Sequence, residues 1–179
     1  MKNFHSLTIK EVVRETPKSV SIVFNVPDDL KPTFKFTAGQ YITIKKEIDG
    51  EELRRSYSIC STPNSGELKV SVKEVADGRF SSYANNELKA GDQLEVFLPE
   101  GKFTFIPSAD AGHRTYAAFA AGSGITPVMS IIKTALTEEE HSKFVLVYGN
   151  RTPEETIFFK ELLELQASYP DRFFVEFVY

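Results

Sequence analysis

The stretch Arg54-Arg55-Ser56-Tyr57-Ser58-Ile59 decides how the rest of the chain is read. In an extended segment, residues two apart point to the same face, so Arg55 and Tyr57 share one side and Ser56 and Ser58 the other. A guanidinium grips a phosphate through a bidentate fork. A phenol ring stacks on a flat ligand, and a small hydroxyl donates to a ring nitrogen. The same residues also read as a solvated strand end. A flat ligand with a phosphate tail would use all three groups.

Working outward, residues 4 to about 105 read as successive short strands, at 6–14, 19–26, 40–45, 68–75 and 93–98. Each carries β-branched or alternating apolar residues. In the fourth, Leu68, Val70 and Val72 fall on one face and Lys69, Ser71 and Lys73 on the other. Asp49-Gly50 and Ala90-Gly91-Asp92 supply turn chemistry. Many short strands at this spacing predict an antiparallel barrel. A short helix is predicted over 80–88, entered through Gly78. It reads either as an ordinary helix with a Ser cap or as an anion site, since free N–H groups at a helix start favour negative charge.

The pattern changes across 106–114, where Pro107, Ser108 and Gly112 mark a linker. Residues 115–121 form a nearly continuous apolar strand, as expected when both faces are buried. It runs into Gly122-Ser123-Gly124-Ile125-Thr126-Pro127 and a helical stretch to Leu136. A second strand at 143–148 leads to Gly149-Asn150-Arg151. A helix over 153–168, with Thr152 as cap and Pro153 at its start, precedes a third strand at 172–178. The order βαβαβ predicts a parallel sheet. Glycines between a strand and a helix let backbone approach a pyrophosphate. Arg151, at the end of the second strand, is placed either to meet an adenosine 2′-phosphate or to serve as a plain loop cation.

Composition narrows the classes. The 179 residues suit one large or two small domains, and hydrophobic residues at 41% suffice for a packed core. A net charge of −4 offers no basic field for nucleic acid or an anionic membrane. No apolar run approaches the ~20 residues of a membrane helix, and the N-terminus lacks an apolar signal region. These features favour a soluble cytoplasmic protein. The single Cys60 excludes an internal disulfide and an iron–sulfur cluster held by this chain alone; packing is the favoured reading of Cys60. His5, His113 and His141 show no metal-ligand spacing and read as surface residues. No metal site is expected.

Arg55-x-Tyr57-Ser58 resembles the flavin signature of the ferredoxin–NADP reductase superfamily. Two further motifs follow in the family's order. Asp77-Gly78-Arg79-Phe80-Ser81-Ser82 resembles its second phosphate motif, and Gly122-Ser123-Gly124-Ile125-Thr126-Pro127 its nicotinamide loop. The resemblance implies a six-stranded antiparallel flavin-binding barrel, here residues 1–107, followed by a partial parallel α/β nucleotide-binding domain, residues 108–179. It implies FAD and NAD(P)H as cofactors. Arg55, Gly78, Ser81 and, less closely matched, Ser82 would hold the diphosphate. Tyr57 would stack on the flavin and Ser58 would steer hydride. Gly122, Gly124 and Thr126 would admit the nicotinamide nucleotide, and Arg151 its 2′-phosphate.

The family's nucleotide domain ordinarily continues through further strands to a Cys-Gly-Pro segment, and some relatives add a ferredoxin domain. Neither is in this sequence, which implies a truncated protein with uncovered apolar sheet surface. The implied function is that of a flavin-dependent NAD(P)H reductase, most like the reductase components of multicomponent oxygenases of the phenylacetyl-CoA type. It would pass electrons to an iron–sulfur acceptor, either a ferredoxin domain or an oxygenase component. The alternatives are a flavin-binding fragment without turnover and a non-enzymatic interaction module.

Overall fold

The computed structural model describes residues 4–108, 110 and 112–179. Residues 1–3, in the N-terminal stretch read for a signal, and positions 109 and 111 of the linker lie outside the described residues.

Six strands make the first body: β1 (His5–Thr16), β2 (Ser19–Asn25), β3 (Tyr41–Ile48), β4 (Glu51–Ser58), β5 (Leu68–Lys73) and β6 (Gln93–Val96). They are antiparallel in the order β4-β3-β6-β1-β2-β5. An isolated bridge between Ile59 and Val70 joins the two outer strands, so the sheet closes on itself. Alternate residues fill the interior. Leu7, Ile9, Ile22, Ile42, Ile44, Val70 and Val72 are all buried in one cluster, as a period of two requires. Helix α1 (Arg79–Asn86) bridges β5 and β6 and contributes Phe80 and Ala84 to the same core.

The hairpin that carries the Arg55–Ser58 segment is set by its turn. Ile48 pairs with Glu51, leaving Asp49 and Gly50 as the two loop residues, with φ of 52° and 75°. Positive φ at both positions matches the right-handed strand twist, which is why Asp-Gly suits such loops. Arg79 at the start of α1 holds this turn, donating to the Ile48 carbonyl and pairing with Glu51.

The second body is a three-stranded parallel sheet in the order β7-β8-β9, from β7 (Thr115–Ala121), β8 (Lys143–Gly149) and β9 (Phe173–Val178). Helix α2 (Ile125–Glu138) buries Ile125, Val128, Met129, Ile132, Ala135 and Leu136, a spacing of three and four that makes one apolar stripe. Pro127 is accommodated because the first helical turn has no use for its missing N–H. Helix α3 (Phe159–Ser168) packs against the same side of the sheet through Leu162 and Leu165.

Two expectations fail here. The helix over 153–168 is broken. Pro153–Glu155 is a 3-10 turn, Thr156 is extended, and Phe158 sits at φ 61° before α3 begins. Ile157 and Phe158 are drawn into the core, with exposures of 0% and 2%. Burying both costs the helical path its first turn. Strand β7, expected to be buried on both faces, is covered on one only. Tyr116, Ala118 and Ala120 pack against the core, whereas Phe119 on the opposite face is 81% exposed.

No helix among the described residues is long and apolar enough to cross a membrane. Nor do the described residues group three or more His, Cys, Asp or Glu in a way that could hold a metal.

Candidate functional site

A cavity of about 400 Å³ opens where the barrel meets the second body. The end of β4 supplies Arg55 through Ser58, the loop before α1 supplies Gly78 and Ser81, and the loop before α2 supplies Ser123, Gly124 and Thr126. Three segments far apart in sequence therefore border one space. A second cavity of about 540 Å³ adjoins it at the C-terminal ends of β7, β8 and β9, lined by Gly122, Ser123, Asn150 and Arg151 among others. In parallel sheets, ligands bind at that end of the strands.

Arg55 is an exposed cation at the lip of the first cavity. Its Nη1 donates to the Arg54 carbonyl at 2.8 Å, and it has no carboxylate partner among the described residues. Tyr57 is half-buried, its ring 5.6 Å from that of Phe80 and tilted by 32°. Burial pushes its phenol up to about 12, with the Arg55 charge pulling the other way, so the ring is neutral at ordinary pH. Ser56 shares a hydrogen bond of 3.0 Å with Thr43 on the neighbouring strand β3. Ser58 lines the cavity, and its hydroxyl makes no hydrogen bond to the rest of the described chain.

The start of α1 is not Ser-capped. Its N-cap is Gly78, with no side-chain cap on the first N–H groups. Those donors have no partners within the helix. An added Cβ at Gly78 would press on the Ser81 hydroxyl and lie 2.5 Å from Val75 Cγ2. The Ser81 hydroxyl accepts from the Val75 N–H at 3.2 Å and donates to the Gly78 carbonyl at 3.0 Å. Its one proton is thus spent on the loop, and Ser81 shapes the anion site rather than donating into it. Ser82 lies outside the lining of both cavities; its N–H donates to the Gly78 carbonyl at 2.8 Å.

The glycine loop is pinned from two sides. Tyr148 donates to the Gly122 carbonyl at 2.9 Å, and Thr126 Oγ1 donates to the Ser123 carbonyl at 3.0 Å. Gly124 has no atom within 4 Å of where a Cβ would stand, so this position opens into the cavity. Cys60 lies away from both cavities. It is 1% exposed in the core of the second body, and burial pushes its thiol up to about 12.

Sequence reasoning missed Lys73, which ends β5 and borders both cavities. The signal was the strand's polar face, Lys69-Ser71-Lys73, whose last member reaches the cleft.

The donor set fits a flavin with a phosphate tail. A guanidinium with no carboxylate partner among the described residues, a neutral ring and open helix N–H groups border the cavity, and Lys73, paired with Glu155, reaches its edge.

Comparison with known proteins finds two domain types along the chain. Residues 6–105 match the oxidoreductase FAD-binding domain and residues 119–178 the oxidoreductase NAD-binding domain. The chain is 47% identical over 172 residues to one of the subunits of the 1,2-phenylacetyl-CoA epoxidase of Escherichia coli K12, covering 96% of this chain and 48% of that protein. Phthalate dioxygenase reductase, described as a modular structure for electron transfer from pyridine nucleotides to 2Fe-2S, superposes with a TM-score of 0.78 at 28% identity, covering 97% of this chain and 51% of that one. A ferredoxin NADP+ reductase from Neisseria gonorrhoeae with bound FAD and NADP shares the fold, with a TM-score of 0.79 at 22% identity over 99% of this chain and 68% of that one. The chain spans about half the length of the curated relatives it matches. It belongs to the oxidoreductases built from an oxidoreductase FAD-binding domain followed by an oxidoreductase NAD-binding domain, and it has the fold of ferredoxin–NADP reductase.

Proposed function

We propose that this chain is the flavin- and nucleotide-binding part of a reductase that moves electrons from NAD(P)H through FAD to an iron–sulfur acceptor. The observation that carries the reading is the convergence of Arg55–Ser58, Gly78–Ser81 and Ser123–Thr126 on one cavity. Its units are residues 1–107 for the flavin and 108–179 for the nucleotide. FAD, when bound, supplies hydride acceptance and the release of single electrons.

The chain's own residues bind and orient. Arg55 and the first N–H groups of α1 hold the diphosphate, and the Gly78 loop, fixed by Ser81, keeps those donors aimed. Tyr57 offers its neutral ring as a stacking face, held from behind by Phe80. Ser58 presents an uncommitted hydroxyl at the cavity wall. The nucleotide lies along the second cavity, with Gly122 and Gly124 admitting its pyrophosphate, Lys73 neutralising it, and Arg151 accepting a 2′-phosphate. Thr126 keeps the loop's shape at the junction of the two cavities.

The iron–sulfur acceptor, a ferredoxin domain or an oxygenase component, is supported by the likeness to phthalate dioxygenase reductase. A cytoplasmic site of action suits a protein that draws on the NAD(P)H pool. Stopped-flow reduction tests the reading. Ser58→Ala should keep FAD bound while slowing its reduction by NADPH. Reduction at the wild-type rate would remove Ser58 from its role, and absence of any flavin reduction in the wild type would leave a flavin-binding fragment without turnover.

A further inference from the structure

The ammonium of Lys73 borders both cavities and lies 4.0 Å from where a Cβ on Gly122 would stand, so it faces the glycine loop. It does not stand there alone. Glu155 Oε2, from the 3-10 turn of the second body, holds it at 3.1 Å across the cleft. Lys18 approaches the other oxygen of the same carboxylate at 3.8 Å. An anion entering the groove must therefore compete with Glu155 for one cation.

We propose that Glu155 is a placeholder anion: its carboxylate keeps Lys73 poised over the groove and yields the ammonium to the pyrophosphate of an entering pyridine nucleotide. This rests on the reading of the second cavity as the nucleotide site. Three features suit such an exchange. The Lys73 and Glu155 side chains are 23% and 24% exposed, so the pair is sheltered enough to be formed and open enough to be displaced. The turn that carries Glu155 is held by backbone bonds, Glu155 N–H to the Thr152 carbonyl at 3.3 Å and Thr156 N–H to the Pro153 carbonyl at 3.1 Å. The carboxylate can swing away without unmaking it. Lys18 remains beside the released carboxylate, so the exchange strands no charge.

Glu155 is thus a positioning residue that sets nucleotide affinity rather than a group that touches the reacting atoms. Calorimetric titration of the 179-residue chain with NADP+ and with NAD+ tests it, in the wild type, Glu155→Gln, Lys73→Met and the double variant. Glu155→Gln should tighten binding by about twofold to fivefold, the range that a part-exposed ion pair commands. Lys73→Met should weaken binding, and in its background Glu155→Gln should bring no tightening. If Lys73→Met fails to fold, Lys73→Gln serves the same arm. Unchanged or weaker binding by Glu155→Gln would overturn the proposal. Equal tightening in the Lys73→Met background would also overturn it, because Glu155 would then act as a general repulsive charge. Failure of the wild type to bind either nucleotide would overturn the nucleotide site itself, and the placeholder with it.

Discussion

The Ser130 hydroxyl on α2 donates to the Ser61 carbonyl of the barrel at 2.6 Å, with both residues buried. This bond crosses from one body to the other. It fixes the distance between the β4 end and the glycine loop, because Ser61 follows β4 by three residues and Ser130 lies on the helix that the loop opens. We expect Ser130→Ala to cost about 1–3 kcal/mol of stability, since the Ser61 carbonyl is left buried without its partner. Thermal unfolding reads the cost. Titration with FAD should show weaker binding from a looser cleft, and full stability in the variant would mean that another contact sets the spacing.

Gly124 separates fold from function. Its φ of −63° and ψ of −11° lie in the ordinary helical region, and an added Cβ meets nothing within 4 Å. Gly124→Val should therefore fold with a melting temperature close to that of the wild type. Its side chain would project into the cleft and weaken NADP+ binding at least severalfold. A variant that binds as tightly as the wild type would move the nucleotide away from this loop.

Glu139 lends the second body a pH dependence. Burial pushes its carboxyl upward, but hydrogen bonds from the Ser142 hydroxyl at 2.5 Å, the Ser108 N–H at 3.0 Å and the Tyr116 hydroxyl at 2.9 Å, with the Arg114 charge, outweigh it. The net shift is below its ordinary value of 4.5. A carboxyl lowered on folding adds stability that is present above its unfolded value and is lost as pH falls through its folded one. Glu139→Gln should cost about 1–3 kcal/mol at pH 7, and the gap from the wild type should shrink as pH falls below 4.5. A gap that stays constant down to acid unfolding would show that the ionised carboxylate is not what these donors stabilise.

Much of this was legible in the sequence, and the exceptions have physical causes. Alternation in Leu68–Lys73 and the Asp49-Gly50 turn gave away β5 and the hairpin, because a period of two and a positive-φ pair leave little else to choose. The glycine loop was legible through its place between a strand and a helix. The break at Phe158 was not. Ile157-Phe158-Phe159 has the apolar density of a helix, and only packing against the core forces Phe158 to a positive φ. The commitment of the Ser81 proton to Gly78 was hidden too, because it depends on how tightly the loop closes over Val75. Lys73 looked like one cation on a polar face. Its importance lies in what the second body brings opposite it.

Arg55 bears most directly on the whole reading, because its guanidinium is exposed, has no carboxylate partner among the described residues, and stands at the lip of the cavity that the three segments border. Titration of FAD into the wild type and Arg55→Ala, followed by visible absorbance and by thermal unfolding of each protein, measures its role. We expect one flavin bound per wild-type chain, and a variant that keeps its melting temperature but binds roughly 10- to 100-fold more weakly, the worth of a charged hydrogen bond to phosphate. Equal affinity in the two proteins, or no flavin bound by the wild type, would contradict the assignment of this cleft to FAD.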